Sequence, residues 1–161
     1  MIKEELDYDM YFVFAVQEEV GLRGATTAAF AVDPDAALVI EATTAADIAG
    51  VSESKTICSL GKGPVISFMD SATLYDRKLF ELALDTAETE NIKAQIKRGI
   101  TGGNDAGAIH KSRAGVKTLA ISLPCRYLHS QICQINGEDV INTQKLLKSI
   151  AAKIAGGKKC E

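Results

Sequence analysis

Three unbroken apolar runs constrain this chain more than any other feature. They are Met10-Tyr-Phe-Val-Phe-Ala-Val16, Ala36-Ala-Leu-Val-Ile40 and Thr118-Leu-Ala-Ile-Ser-Leu123. None shows the strict polar alternation of a strand with one wet face, so each is expected to be a strand buried on both faces. Between them the spacing changes to that of helices. An Ala-rich helix is predicted from Arg23 to about Ala31, followed by a turn at Asp33-Pro34-Asp35. A second is predicted over Asp76 to Asn91, with Leu79, Phe80, Ala83, Leu84 and Ala87 on one face. Asn104 or Asp105 can cap a third, running to about Ala114 with Gly115 just beyond it. Asn136 can cap a fourth, running to about Ala155 with Val140, Ile141, Leu147, Ile150 and Ile154 inward. Val65 to Met69 and Ala94 to Lys97 are candidates for short strands, Thr43 to Ser59 reads as a loop, and Pro124 is expected to stop the third long strand.

Strands alternating with helices predict an α/β fold: a mostly parallel sheet with helices on both faces. With 161 residues and no internal repeat or linker, one domain is expected. The net charge of −3 offers no basic face, which argues against nucleic acid or an anionic membrane as partner. Met10 to Val16 is too short to span a bilayer, and the acidic residues before it do not suit a signal peptide. The four cysteines, Cys58, Cys125, Cys133 and Cys160, show no CxxC spacing, so reduced thiols in the cytoplasm are expected.

In an open α/β sheet, ligands bind beyond the carboxyl ends of the strands. The first run ends in Glu18-Glu19 and the second in Glu41. The edge strand leads through Gly99-Ile-Thr-Gly-Gly-Asn104 to Asp105, and the third run leads to Arg126, Tyr127 and His129. Each has an ordinary reading: paired glutamates usually face water, and a single loop histidine is seldom a ligand. Their convergence on one rim is harder to ascribe to solvation. Carboxylates with imidazole suit zinc, cobalt or manganese. Adjacent Glu18 and Glu19 would point opposite ways on an extended backbone, one to a metal and the other free as a general base. Cys125 and Cys133 flank His129 at equal spacing; inert thiols are the favoured reading there over a zinc knot. The glycines at 99 to 103 lack the Lys-Ser/Thr ending of a phosphate loop.

Phe14-Ala-Val-Gln-Glu-Glu-Val-Gly-Leu-Arg-Gly-Ala25, Gly102-Gly-Asn-Asp-Ala-Gly-Ala-Ile-His110 and Arg126-Tyr-Leu-His-Ser130 resemble the glutamyl (deblocking) aminopeptidase family of dinuclear metallopeptidases. The resemblance covers nearly the whole chain. It implies Glu18 as general base toward the attacking water, Glu19 and His129 as ligands of one metal, and Glu41, where the family usually has Asp, as a ligand of the other. It places Asp105 beside a peptide substrate, with Asn104 in place of the usual Thr. Arg126 is a candidate substrate contact that would favour acidic side chains, or equally a partner for a Glu or Asp close by.

The resemblance also implies a histidine ligand and a bridging aspartate upstream of Gln17-Glu18-Glu19. Met1 to Asp9 carries no Asp-Asp-Arg-like segment to match. The expectation is therefore an amino-terminally truncated catalytic domain, without the family's oligomerisation insert. Two dications that lack a bridging carboxylate repel each other, so weak or single-metal binding is expected. Sheet edges left open by missing strands favour a homo-oligomer, or a partner chain that supplies the upstream part. Two functions follow: a metal-dependent aminopeptidase or its catalytic fragment, and an inactive homologue that keeps the fold as a binding or assembly subunit.

Overall fold

The computed structural model describes residues 6–156. Helix α1 spans Arg23–Val32 and strand β1 Ala36–Thr44; a 3-10 turn at Glu53–Lys55 interrupts the loop that follows. Then come β2 (Val65–Ile66), α2 (Arg77–Thr89), β3 (Gln95–Ile96), α3 (Ala106–Ile109), β4 (Lys117–Cys125) and α4 (Gly137–Ala155). The sheet order is β1-β4-β2-β3. β1 and β4 pair in parallel along their whole length, from Ala36 opposite Lys117 to Thr44 opposite Cys125. β2 and β3 are also parallel, and β2 meets β4 antiparallel at Ile121 and Ser122.

β4 is the axis of the molecule. Leu119, Ala120 and Ile121 are fully buried in consecutive positions, as they can be only when both faces of a strand are covered. α2 packs on α4 and α1 on α3, and α2, α3 and α4 all reach β4. The main core joins Ile66, Leu79, Ala83, Leu119, Ile121, Leu146 and Ile150. The α/β architecture and the largely parallel sheet are as the periodicity predicts.

β4 runs through Pro124 instead of stopping before it. The carbonyl of Ala120 accepts from Ser67 on the β2 side. Alternation therefore turns the nitrogen of residue 124 to that side as well, beyond the end of β2, where a missing N–H costs no ladder bond. α3 is one turn long, not a helix to Ala114. Arg113 adopts φ 51° there and reaches back to α1. Its Nε and Nη2 donate to the Phe30 carbonyl at 2.9 and 2.6 Å, and its guanidinium lies 3.9 Å from the Phe30 ring centroid.

α4 begins as expected, with Asn136 accepting from Glu138 N at 2.8 Å. Its inward stripe is Asp139, Thr143, Leu146 and Ile150, so Val140 and Ile141 are exposed rather than inward. The carboxylate of Asp139 decides the rotation. It is fully buried and accepts from Gly61 N and Gly63 N at 2.7 Å each. Gly63 has φ 83°, and a side chain there would strike the Lys93 carbonyl at 1.9 Å.

The largest departure is Met10 to Val16, which is not a strand. Tyr11, Phe12, Val13 and Val16 are all more than half exposed, and Phe14 is 94% exposed. Its composition suits a two-sided buried strand, but among the described residues it has no ladder partner. β1, likewise, has β4 as its only neighbour among the described strands, and Ile40 on it is 67% exposed. Strand propensity without a partner is not sufficient to make a strand.

Candidate active site

Glu18, Glu19, Asp105 and His129 are delivered by turns at a helix start or after a strand. Val16 carbonyl accepts from Gly24 N at 2.9 Å, and Gly24 is needed because a Cβ there would lie 2.5 Å from Val16 backbone atoms. The chain then turns through Gln17 at φ 61°, which throws Glu18 and Glu19 off the line of the preceding segment. Leu22 N and Gly21 N close the turn onto the Glu18 carbonyl at 3.0 and 3.1 Å. His129 also has positive φ, 63°, in the loop after β4. Non-glycine residues in this region are uncommon and concentrate where function holds the backbone in place.

Glu41 is in the body of β1 rather than at its end, because β1 continues to Thr44. It is half-buried, and its Oε1 accepts from Ala42 N at 2.8 Å. Asn104, buried, caps the short helix by accepting from Ala106 N at 2.9 Å. Asp105 is thereby released from capping, and its buried Oδ1 has no hydrogen-bond partner.

These groups meet electrostatically. Burial raises the carboxyl of Glu18 above the ordinary glutamate range, and the charges of Glu41, Glu19 and Asp105 raise it further, with His129 opposing them. Burial also raises Glu41, against the bond from Ala42 N, and Asp105 and Glu19 add to the rise. Asp105 is raised by burial. His129 Nδ1 lies 3.3 Å from Glu19 Oε1, the two coming from loops far apart in sequence. Four carboxylates thus share one rim with one imidazole, and a divalent cation is the natural complement to such a set. Among the described residues, no three His, Cys, Asp or Glu side chains close into a ligand cluster. The donor chemistry of these side chains fits a divalent metal.

Arg126 takes another place. Its Nε and Nη2 donate to Asp47 Oδ1 and Oδ2 at 2.7 and 2.9 Å, leaving Nη1 3.4 Å from Gln134 Oε1. Asp47 also accepts from Leu60 N at 2.9 Å, and the Arg126 hydrogen bonds hold its carboxyl below the usual range. This bidentate pair ties the loop carrying His129 to the loop after β1. His110 sets its Nδ1 2.7 Å from the Ala106 carbonyl, one turn back along the chain.

A buried network went unsuspected in the sequence. Tyr75 hydroxyl donates to Asp70 Oδ2 at 2.5 Å, Asn104 Nδ2 donates to Tyr75 at 3.0 Å, and Asp70 Oδ1 accepts from Ala72 N and Thr73 N at 2.8 Å each. It pins the glycine-rich approach to Asp105. An Asp three residues before a Thr marks the turn in sequence, but nothing marks its link to Asn104. A groove of about 900 Å³ lies beside Asp47, Cys58, Lys62 and Arg98, and none of the acidic rim residues lines it.

Residues 1–146 match the model of the M42 glutamyl aminopeptidase family. The chain belongs to this family. Among M42-like relatives, the lysyl aminopeptidase of Pyrococcus furiosus is 37% identical over 151 residues, 93% of this chain and 42% of its own length. The TET aminopeptidase of a marine sediment Thaumarchaeota archaeon superposes with TM-score 0.84 at 36% identity, covering 87% of this chain and 39% of that one. A TET1 peptidase of Pyrococcus horikoshii, which can assemble into a tetrahedron or a large octahedral shell, gives 0.64 at 35% identity, over 90% of this chain and 40% of that one. The M42 chain thus spans about two fifths of the length of the relatives it matches.

Proposed function

We propose that this M42-family chain forms part of the catalytic unit of a metal-dependent aminopeptidase, an enzyme that removes amino-terminal residues from peptides. The observation that carries this reading is the convergence of Glu18, Glu19, Glu41, Asp105 and His129 on one rim, with Glu18 raised by burial and by Glu41, Glu19 and Asp105, and Glu41 raised by burial, Asp105 and Glu19. Glu19 and His129 would hold one divalent cation and Glu41 would contribute to a second site; zinc, cobalt and manganese all suit the donors. A cation bound there offsets the carboxylate repulsion and polarises the scissile carbonyl.

The other steps belong to this chain. A carboxyl raised above the ordinary range is a stronger base than a free glutamate, so Glu18 takes the proton of the attacking water and passes it to the leaving amine. Asp105, raised by burial on the same rim, accepts from the amino terminus of the peptide. Arg126 bears on the substrate through the loop it holds. Glu19 and His129 supply only part of a four-coordinate site, so water, another segment or a partner chain completes it. A single domain in a cytoplasmic setting belongs to this proposal. So does assembly with other copies, in the manner of the shell-forming relative.

The test is metal stoichiometry and peptide hydrolysis on the same preparation. Bound zinc or cobalt that falls with Glu19→Gln or His129→Ala is expected. Amino-terminal cleavage should drop about 100-fold or more in Glu18→Gln, which keeps its metal. Metal bound without any cleavage supports the second reading, an inactive homologue serving as a binding or assembly subunit. The absence of a closed ligand cluster among the described residues favours that alternative. No metal uptake sensitive to Glu19 or His129 ends the enzymatic proposal.

A further inference from the structure

Cys125 and Cys133, expected from sequence to be inert thiols, are brought together by the fold. Beyond β4 the chain makes an antiparallel bridge between Arg126 and Gln134, with Arg126 N donating to the Gln134 carbonyl at 2.9 Å and Gln134 N to the Arg126 carbonyl at 3.0 Å. Arg126 and Gln134 occupy one face of this ribbon, where their side chains approach to 3.4 Å. Each cysteine immediately precedes a bridged residue, so alternation puts both on the opposite face. The two thiols lie within hydrogen-bonding reach of each other, and burial, with the Cys133 contact added, raises the Cys125 thiol above its ordinary range. Cys125 is buried and Cys133 exposed.

We propose that Cys125 and Cys133 form a redox-active dithiol whose oxidation to a disulfide closes the loop that carries His129. The oxidant is a peroxide. The exposed Cys133 thiolate attacks one peroxide oxygen; the O–O bond breaks, hydroxide leaves and a sulfenic acid forms. The Cys125 sulfur then displaces the sulfenic hydroxyl as water, giving the S–S bond, and the Cys125 proton goes to that leaving group. Two thiols are oxidised and one peroxide is reduced to two waters. A dithiol reductant reverses the change by exchange. The ring so formed contains Tyr127 and His129, both at positive φ, so the bridge fixes the two least ordinary backbone positions of the loop.

Cys58 is the internal control. It is buried 14 residues from its Thr44 contact along the chain, and burial pushes its thiol up to about 12, so it should stay reduced. The experiment is brief hydrogen peroxide treatment of the full chain, followed by non-reducing peptide mapping; trypsin cleavage after Arg126 separates the two cysteines. The expected product is a 125–133 linked peptide pair, formed within one chain, lost in Cys133→Ser and released by dithiothreitol. Amide exchange across residues 127–132 should slow in the oxidised wild type and not in Cys133→Ser. Oxidation of Cys133 to sulfinic acid or to a cross-link between chains, with Cys125 left as a thiol, would overturn the proposal. A 125–133 disulfide that leaves exchange in the loop unchanged would overturn the loop-closing role.

Discussion

Two groups of acids sit within the same fold and are treated in opposite ways. Asp139 and Asp70 are fully or almost fully buried, and each is surrounded by donors: Gly61 N and Gly63 N for the first, Ala72 N, Thr73 N and the Tyr75 hydroxyl for the second. Asp47 is similarly enclosed by Arg126 and Leu60 N. Glu18, Glu41 and Asp105 are less buried but face one another, with Ala42 N as the clearest donor among them and an Asp105 oxygen left bare. A carboxylate that serves the fold is given hydrogen-bond donors. The acids proposed for the site are left short of them, as suits groups whose complement would come from outside the chain.

Removing a donor-rich acid should give the largest effect. Asp139→Ala strands two buried backbone N–H groups and is expected to cost about 3 kcal/mol by urea denaturation. Asp47→Asn should lower the thermal midpoint by a few degrees at neutral pH. Because the folded carboxyl of Asp47 is depressed, its contribution is present above the ordinary carboxylate range and is lost as pH falls through the lowered value. The gap between wild type and Asp47→Asn should therefore close in acid. An undiminished gap there would show that the pair acts through shape and not through charge.

Glu41→Gln should act in the opposite sense and more weakly. A raised carboxyl favours folding fully below its unfolded value and loses that contribution as pH rises through the folded value. The glutamine variant should thus be more stable than metal-free wild type at neutral pH, by about 0.5 kcal/mol once screening at this half-exposed group is allowed for. The two should converge below roughly pH 4. Added zinc should stabilise wild type more than the variant. If Glu41→Gln destabilises the metal-free chain, the distinction between the two groups of acids fails at that residue.

The residues of the proposed rim stood out in the sequence because apolar runs and glycine loops lead to them, although the run before Glu18 is not a strand and Glu41 lies within β1 rather than at its end. Glu18, Glu41, Asp105 and His129 could each be placed without knowing which strand lies beside which. α1, α2 and the core of β4 were legible for a similar reason, since their periodicity is local. What could not be read depends on distant partners. Val140 and Ile141 look like core residues until Asp139 is seen to reach Gly61 and Gly63, far earlier in the chain. Pro124 looks like a stop until β2 proves too short to reach it. Arg126 suits a substrate and a nearby acid equally well until Asp47 is found beside it, and Met10 to Val16 looks like a strand until a partner is sought.

Gly63 is held by Asp139 from one side and by the Lys93 carbonyl from the other. Both demands fall on one residue: a left-handed backbone and no room for even a methyl group. As sequences diverge, such a site cannot drift by small steps, since alanine, the nearest neighbour in size, already collides with backbone. In a library of all single substitutions, position 63 should return glycine alone. Gly50, also at positive φ but with nothing within 4 Å of a would-be Cβ, should return asparagine and aspartate as well.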